Sequence, residues 1–391
     1  MRDNIPRLHR VVDHARDQLR GMAEGADTFE ACRVRYGHTQ ERLAREGRGR
    51  LTASRVGEAE RNWAPTRDCL AEFMRWGAVA EAPLPSARKF LDRYREQSFQ
   101  LTGLGGNLAE LASEGGPPFV DRVAETIIAA HPYFDGILAA LADGPIICPA
   151  VSEGDIERGR RDGLGSEGWG RWAAEKIGSG INPKAVTKQI GSHLARRFGN
   201  PPAEQPHNKA LAEATNDALM VSGFTARGLQ IDAQSIKTLL RWGSELLLFD
   251  QSRYVPAYDD CNVIWLAADV ERPAAGPPSA TRRGVAAHGP EVAQALIKAY
   301  REQTESSESS LDAPYLPIHR VRAQAAFESQ VTRALADLVL ERLADDEFPE
   351  AGVTVFLHIG TTALPNSEPA FRQHGRRRLE VTMSNKEKES K

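Results

Sequence analysis

The sequence predicts a mainly α fold with short β hairpins (α+β), organised as tandem modules joined by helical connectors. Three stretches predict it, each with the same order of helix, break and two short apolar strands. In the first, Cys69, Leu70, Phe73 and Met74 recur at helical spacing over residues 66–76. Gly77 then ends the helix, and apolar runs follow at 78–80 and 99–102. In the second, Ile236, Leu239, Leu240 and Trp242 are apolar in and just after a helix over 231–241, followed by Gly243, an apolar run at 245–249 and Tyr254-Val255. In the third, Val331, Leu335, Leu338, Val339 and Leu343 mark a helix over 330–343, with apolar strands at 353–359 and 378–383.

The first module takes residues 1–113. Leu8, Val11, Val12, Ala15 and Leu19 form an i, i+3, i+4 stripe that predicts a helix over 5–22. Two short helices are expected at 29–36 and 39–44, with Tyr36-Gly37-His38 as a turn. His38 reads as a capping or surface residue, since no second ligand lies at metal spacing. A further helix is expected from Thr52, a plausible N-cap, to about Ala59. Residues 61–64 read as a turn, with Pro65 where a helix can start without its N–H. The hairpin between 78 and 102 would carry Arg88, Lys89, Arg93 and Arg95 in its loop, and Leu104, Leu108 and Leu111 would close the module with a helix.

Residues 114–200 read as a helical connector. Gly115-Gly116-Pro117-Pro118 is a break. Phe119, Val123, Ile127 and Ile128 give a helix that His131-Pro132-Tyr133 interrupts, and Phe134, Ile137, Leu138 and Leu141 continue it. Residues 145–149 (PIICP) read as a strand or turn. The Gly-rich stretch 152–180 has neither a G-x-x-x-x-G-K-[ST] pattern nor a strand before a G-x-G-x-x-G, so no phosphate loop is expected. Residues 183–199 form the most basic helix, with Val186, Ile190, Leu194 and Phe198 inside and Lys184, Lys188, His193, Arg196 and Arg197 on other faces. Few acids neighbour it, which favours phosphate contact.

Residues 201–270 form the second module. After a linker at 201–206 come helices at 208–222 and 231–241. A hairpin turning at 250–253 puts Arg253 at its tip, and 261–267 (CNVIWLA) is a further strand candidate. Residues 271–312 are expected to be a Pro/Gly/Ala-rich linker around a helix at 291–302, ending in the polar run TESSESS. The third module, 313–391, has helices at 318–327 and 330–343. Its long hairpin holds Arg372, His374, Arg376, Arg377 and Arg378. The tail SNKEKESK is expected to be disordered.

A length of 391 residues suits several domains, and a hydrophobic share of 41% supports real cores. The net charge of −3 carries no global nucleic-acid signature, so any such role must rest on local basic patches. Cys32, Cys69, Cys148 and Cys261 form no C-x-x-C pair; buried, reduced thiols in a cytoplasmic protein are expected. No run approaches the roughly 18 apolar residues of a membrane span, and the charged N-terminus lacks a signal-peptide core. There is no G-x-S-x-G. Asp259-Asp260 and Asp345-Asp346 are adjacent pairs whose side chains would diverge on a strand. Glu380 lacks the lysine two positions later that a nuclease strand would need, and His319, His358 and His374 lack ligand spacing. No catalytic residue, cofactor or metal is expected.

The order of helix, helix and hairpin resembles the winged helix-turn-helix modules of multi-winged-helix bacterial DNA-associated proteins, over about half the chain. The resemblance is architectural and names no family. It implies that 66–76 sits at the recognition-helix position, with Arg67 and Arg75 near its open face, and that the hairpins act as wings. The implied interface is Arg67, Arg75, Arg88, Lys89, Lys184, Lys188, Arg196, Arg197, Arg253, Arg372, Arg376, Arg377 and Arg378. The expected role is a duplex-DNA-binding accessory protein of a multi-protein DNA-processing or phage-defence system, with a homodimer left open. The alternatives are a scaffold binding protein partners of a large ATPase or nuclease, and a diverged nuclease.

Overall fold

The fold is that of a computed structural model, which describes residues 10–46, 63–82, 97–164, 167–168, 171–172, 175, 208–258, 261–267, 284–306, 314–360, 371–373 and 376–385. It is mainly helical with small antiparallel sheets, an α+β fold. Among the described residues no helix is long and apolar enough to cross a membrane. The chain divides into two units. One comprises Met1–Asp135, Arg241–Leu246 and Asp269–Arg282; the other holds Gly136–Leu240, Leu247–Ala268 and Arg283–Lys391.

The first unit contains α1 (Val11–Ala23), α2 (Phe29–Arg45), α3 (Trp63–Arg75), β1 (Val79–Glu81), β2 (Phe99–Leu101), α4 (Gly103–Glu114) and α5 (Pro117–Ala130). Helix α1 buries Val11, Ala15 and Leu19, as its stripe predicts, and packs on α2 and α4. The two short helices expected at 29–36 and 39–44 are one helix. Cys32, Tyr36, Thr39 and Leu43 continue a single buried face across Gly37-His38, and that burial outweighs the glycine's helix penalty. His38 is exposed. Helix α3 begins at Trp63, inside the stretch read as a turn, and Pro65 lies in its first turn, where its missing N–H costs nothing. The helix expected at 52–59 lies outside the described residues.

Strands β1 and β2 pair antiparallel, Val79 opposite Leu101. Thr28 bridges Ser98, and the Phe99 N–H donates to the Asp27 carbonyl at 2.8 Å, so the residues before α2 flank β2 on its other side. The Thr102 hydroxyl accepts the Gly105 N–H at 3.1 Å, capping α4, and donates to the Gly77 carbonyl at 2.6 Å. This seats α4 on the β1 backbone so closely that a Cβ on Gly105 would fall 2.0 Å from the Ala78 carbonyl oxygen. Backbone cannot swing aside as a side chain can. Gly105→Ala should therefore cost about 2 kcal/mol or more, the scale of overpacking. A thermal melt checks this; an unchanged midpoint would contradict the close approach.

Helix α6 (Pro132–Ala142) leads from His131 into the second unit. There follow β3 (Ile146–Pro149), α7 (Glu153–Arg161), α8 (Asn208–Ala226), α9 (Ala233–Glu245), β4 (Phe249–Ser252) and β5 (Cys261–Leu266). The sheet order is β3-β5-β4. PIICP is thus a strand, pairing Ile147 with Val263 and Cys148 with Asn262. The Asn216 side chain on α8 holds the chain after β3 by accepting the Val151 N–H at 2.8 Å and donating to its carbonyl at 3.0 Å. Asp232 caps α9 through the N–H groups of Gln234 and Ser235; the Ser235 hydroxyl, donating at 2.6 Å, and then these N–H groups hold its carboxyl below its ordinary pKa despite partial burial. The hairpin expected to turn at 250–253 does not turn there. Leu247 takes a left-handed conformation (φ 57°), β4 occupies Phe249–Ser252, and the connection to β5 begins at Arg253.

The remaining elements are α10 (Gly284–Glu305), β6 (Leu316–Pro317), α11 (Ile318–Glu328), α12 (Arg333–Ala344), β7 (Val353–His358), β8 (Phe371–Gln373), β9 (Arg376–Arg378) and β10 (Glu380–Asn385). Most of the described part of the expected 271–312 linker is α10. Its buried stripe of Val292, Leu296, Ile297 and Tyr300 carries the helix despite Pro290. Strands β6, β10 and β7 form a sheet in that order, and β8 and β9 form a hairpin within the expected loop. The final strand is therefore split: Arg378 ends β9, and β10 starts at Glu380. Between α11 and α12 the chain turns in four residues, with Gln330 left-handed (φ 52°) and Thr332 capping α12. Trp265 of β5 donates its indole N–H to the Val331 carbonyl at 2.8 Å, which ties this turn to the β3-β5-β4 sheet.

Candidate nucleic-acid interface

The described cations fall into two groups. On α3, Arg67 bonds the neighbouring Asp68 at 2.9 Å and lies over the Trp63 ring. Arg75 lies 3.9 Å from Glu72. Glu72 is buried, accepts the Trp76 indole N–H at 2.8 Å and bonds His131. The charges of α3 are thus partly spent inside the protein. On α12, Arg333 is buried against Asp250, and Arg342 lies 3.7 Å from Glu347. Lys237 on α9 bonds Asp217 at 2.6 Å.

The strand connections differ. Arg253 stands half-exposed where β4 leaves its sheet and makes no ion pair among the described residues. It lines a polar cleft of about 140 Å³ with Asn216, Lys237, Gln251 and Asn262. Arg376 and Arg377 are exposed on β9 and likewise make no ion pair among the described residues. The register sets Arg377 opposite Arg372, and Gln373 opposite Arg376. Arg378 is half-buried, and its Nε has no hydrogen-bond partner among the described residues.

No family model, curated protein or solved structure matches this chain significantly.

Of the expected interface, Arg88, Lys89, Lys184, Lys188, Arg196 and Arg197 lie outside the described residues. The structure brings Arg372, Arg376, Arg377 and Arg378 together on one hairpin. Arg67 and Arg75 share α3, and their partners sit one and three residues away, so their compensation is visible in the sequence itself. Among the described residues no group of three His, Cys, Asp or Glu side chains could hold a metal ion. His319 is buried edge-on to Tyr254 at 4.6 Å, and burial lowers its pKa to about 4. His358 bonds the Thr382 hydroxyl at 3.1 Å, so the two histidines serve different neighbours. His374 and Asp259-Asp260 lie outside the described residues.

Sequence reasoning passed over the outer face of the β6-β10-β7 sheet. Tyr315 and Phe356 are 55% and 53% exposed there. The signal was present: in V-T-V-F-L-H, strand alternation that buries Val353 and Val355 must turn Phe356 outward.

Proposed function

We propose that the chain is a tandem winged-helix protein that contacts duplex DNA with its wings, acting as an accessory protein in a bacterial DNA-processing or phage-defence system. One observation carries this reading: the same strand order occurs three times. In each case a helix precedes a first short strand, further helices follow, and a last hairpin strand inserts between its partner and the first strand. The copies are α1, the Thr28 bridge in place of a strand, α2, α3, β1, β2; then α6, β3, α7, α8, α9, β4, β5; then α10, β6, α11, α12, β7, β10, with the β8–β9 hairpin between the last two strands. The four-residue turn between α11 and α12 has the length of a helix-turn-helix connection.

The free cations favour the wings over the third helices. Arg253 and Arg376-Arg377 lie on hairpins, whereas the arginines of α3 and α12 are compensated. Wing contacts to phosphate position a protein without reading sequence. The expected behaviour is sequence-tolerant, salt-sensitive duplex binding. In a salt titration with a labelled blunt duplex, the paired change Arg376→Ala and Arg377→Ala should flatten the slope of log K against log salt. The expected flattening is about 0.9 for each phosphate that these arginines neutralise. No binding at low salt would sink the reading.

A protein-scaffold role is a second reading, favoured by α12. This helix exposes Leu338, 48% accessible, beside Glu341 and beside Asp337, whose carboxylate is already bonded to Arg322 at 3.0 Å, an apolar spot better suited to a protein than to phosphate.

A further inference from the structure

The outer face of the β6-β10-β7 sheet carries a row of aromatic side chains. Phe356 and His358 are two residues apart on the edge strand β7 and so share a face. Phe356 stands opposite Thr382 and His358 opposite Glu380. The Tyr315 ring, just before β6, meets the His358 ring edge-on at 4.7 Å. Beneath them Thr382 is buried, its hydroxyl bonded to His358, so the row has a fixed floor. Two large aromatics left more than half exposed, on a face that holds no core, invite a partner.

What surrounds the row indicates its occupant. Between β7 and β10 the chain forms the β8–β9 hairpin, which joins the sheet at Leu379, whose N–H donates to the His358 carbonyl at 2.9 Å, and carries the exposed cations Arg376 and Arg377. The one carboxylate in the row, Glu380, is already engaged. Gly360 folds over it, and a Cβ there would fall 2.5 Å from its carboxyl carbon. The chemistry offered is therefore aromatic faces with arginines on the adjoining hairpin, which complements a polyanion whose units carry flat rings. Tyr315 precedes β6 and Phe356 lies on β7, with β10 between them, so the two rings stand about two inter-strand spacings, roughly 9.6 Å, apart, well beyond the 3.4 Å rise of bases in a duplex. The row thus fits bases splayed from one another and not a stacked helix. Sheets that display aromatics take single strands in this way.

We infer that the outer face of the third sheet, through Tyr315 and Phe356, is a stacking platform for unpaired bases, so that the protein prefers duplex DNA with a single-stranded extension. This inference rests on the reading that the β8–β9 hairpin lies against nucleic acid. It adds the substrate class: a junction or overhang in place of a continuous duplex.

The test compares a labelled blunt duplex with the same duplex bearing an oligothymidine overhang, by fluorescence anisotropy on the full chain. The overhang should bind about ten-fold tighter for each base stacked. The double variant Tyr315→Ala with Phe356→Ala should lose that preference and bind the blunt duplex as before. Tyr315→Phe with Phe356→Tyr should keep it. Both side chains are largely exposed, and circular dichroism verifies that each variant folds. Equal binding of the two DNAs by the unaltered protein overturns this inference and leaves the duplex reading standing. Equal loss on both DNAs in the alanine variant also overturns it. Absence of binding to either DNA overturns both readings and assigns the face to a protein partner.

Discussion

Replacing Asp250 by alanine should destabilise the second unit by about 3–5 kcal/mol, the cost of leaving a buried cation without its counter-ion. Asp250 is fully buried, and the Arg333 side chain is 8% exposed. One carboxylate oxygen accepts the Arg333 backbone N–H at 2.6 Å and its Nε–H at 3.1 Å. The other accepts the second guanidinium N–H at 2.9 Å and the Gln251 N–H at 2.8 Å. This fork pins the N-terminus of α12 to β4, three residues before Arg253. Arg333→Met alone should also destabilise, since it strands a buried carboxylate. The double variant Asp250→Ala with Arg333→Met should be far more stable than the sum of the singles predicts, because neither charge is then left without the other. Denaturant titrations of the four proteins give the coupling directly. A loss below about 1 kcal/mol for Asp250→Ala, the scale of a surface pair, would mean that water reaches Arg333 and that the fork is not a buried anchor.

The same pair explains where the sequence misled. Asp250-Gln251-Ser252-Arg253 has turn chemistry, and locally nothing argues for a strand. Its strand character comes from Arg333, 83 residues away, and no window of sequence contains both. PIICP reads as a strand or a turn for a similar reason: the choice is made by Val263 and its neighbours, which lie beside it. The helix expected at 291–302 is part of α10, and only its start before Glu291 hid behind Pro290 and its glycines, whose local preference is outweighed by a stripe buried against α11 and α12. Amphipathic helices needed no such help. The stripes of α1, α5 and α12 state their own burial, since a 3.6-residue period is a local signal. The interface divides along the same line. Adjacent acids that quench Arg67 and Arg75 could be read directly, whereas the freedom of Arg253 and the alignment of the β9 arginines opposite β8 depend on pairing across the chain.

Acid should weaken the first unit through His14. The ring is fully buried, stacked on Tyr36 at 4.1 Å, and its Nε2 meets the Gln40 amide nitrogen at 2.6 Å, so it is held as the neutral acceptor. Burial, the dominant cause, lowers its pKa to about 3; Asp17 pulls it upward and Arg42 downward. In the unfolded chain the group titrates near 6.5. Between those values the unfolded state binds the extra proton. The contribution of neutral His14 is therefore complete above about pH 6.5 and lost as pH falls towards 3. At about 1.36 kcal/mol per pH unit, acidifying from pH 7 to 5 should remove roughly 2 kcal/mol. Glu245 opposes this. Its carboxyl accepts the Arg10 N–H at 3.0 Å, and burial pushes it up to about 7. Its folded pKa is raised, so its contribution is present in acid and fades as pH rises through 7. The two slopes offset one another in the unaltered protein, which should show a shallow profile between pH 5 and 7. Differences expose them. His14→Gln removes one titration, and the stability gap between it and the parent should narrow by about 2 kcal/mol from pH 7 to 5. Glu245→Gln should reveal the histidine as a steeper acid loss. A gap for His14→Gln that stays constant over that range would mean that His14 is protonated or hydrated in the fold, and the stacked, neutral ring would have to be abandoned.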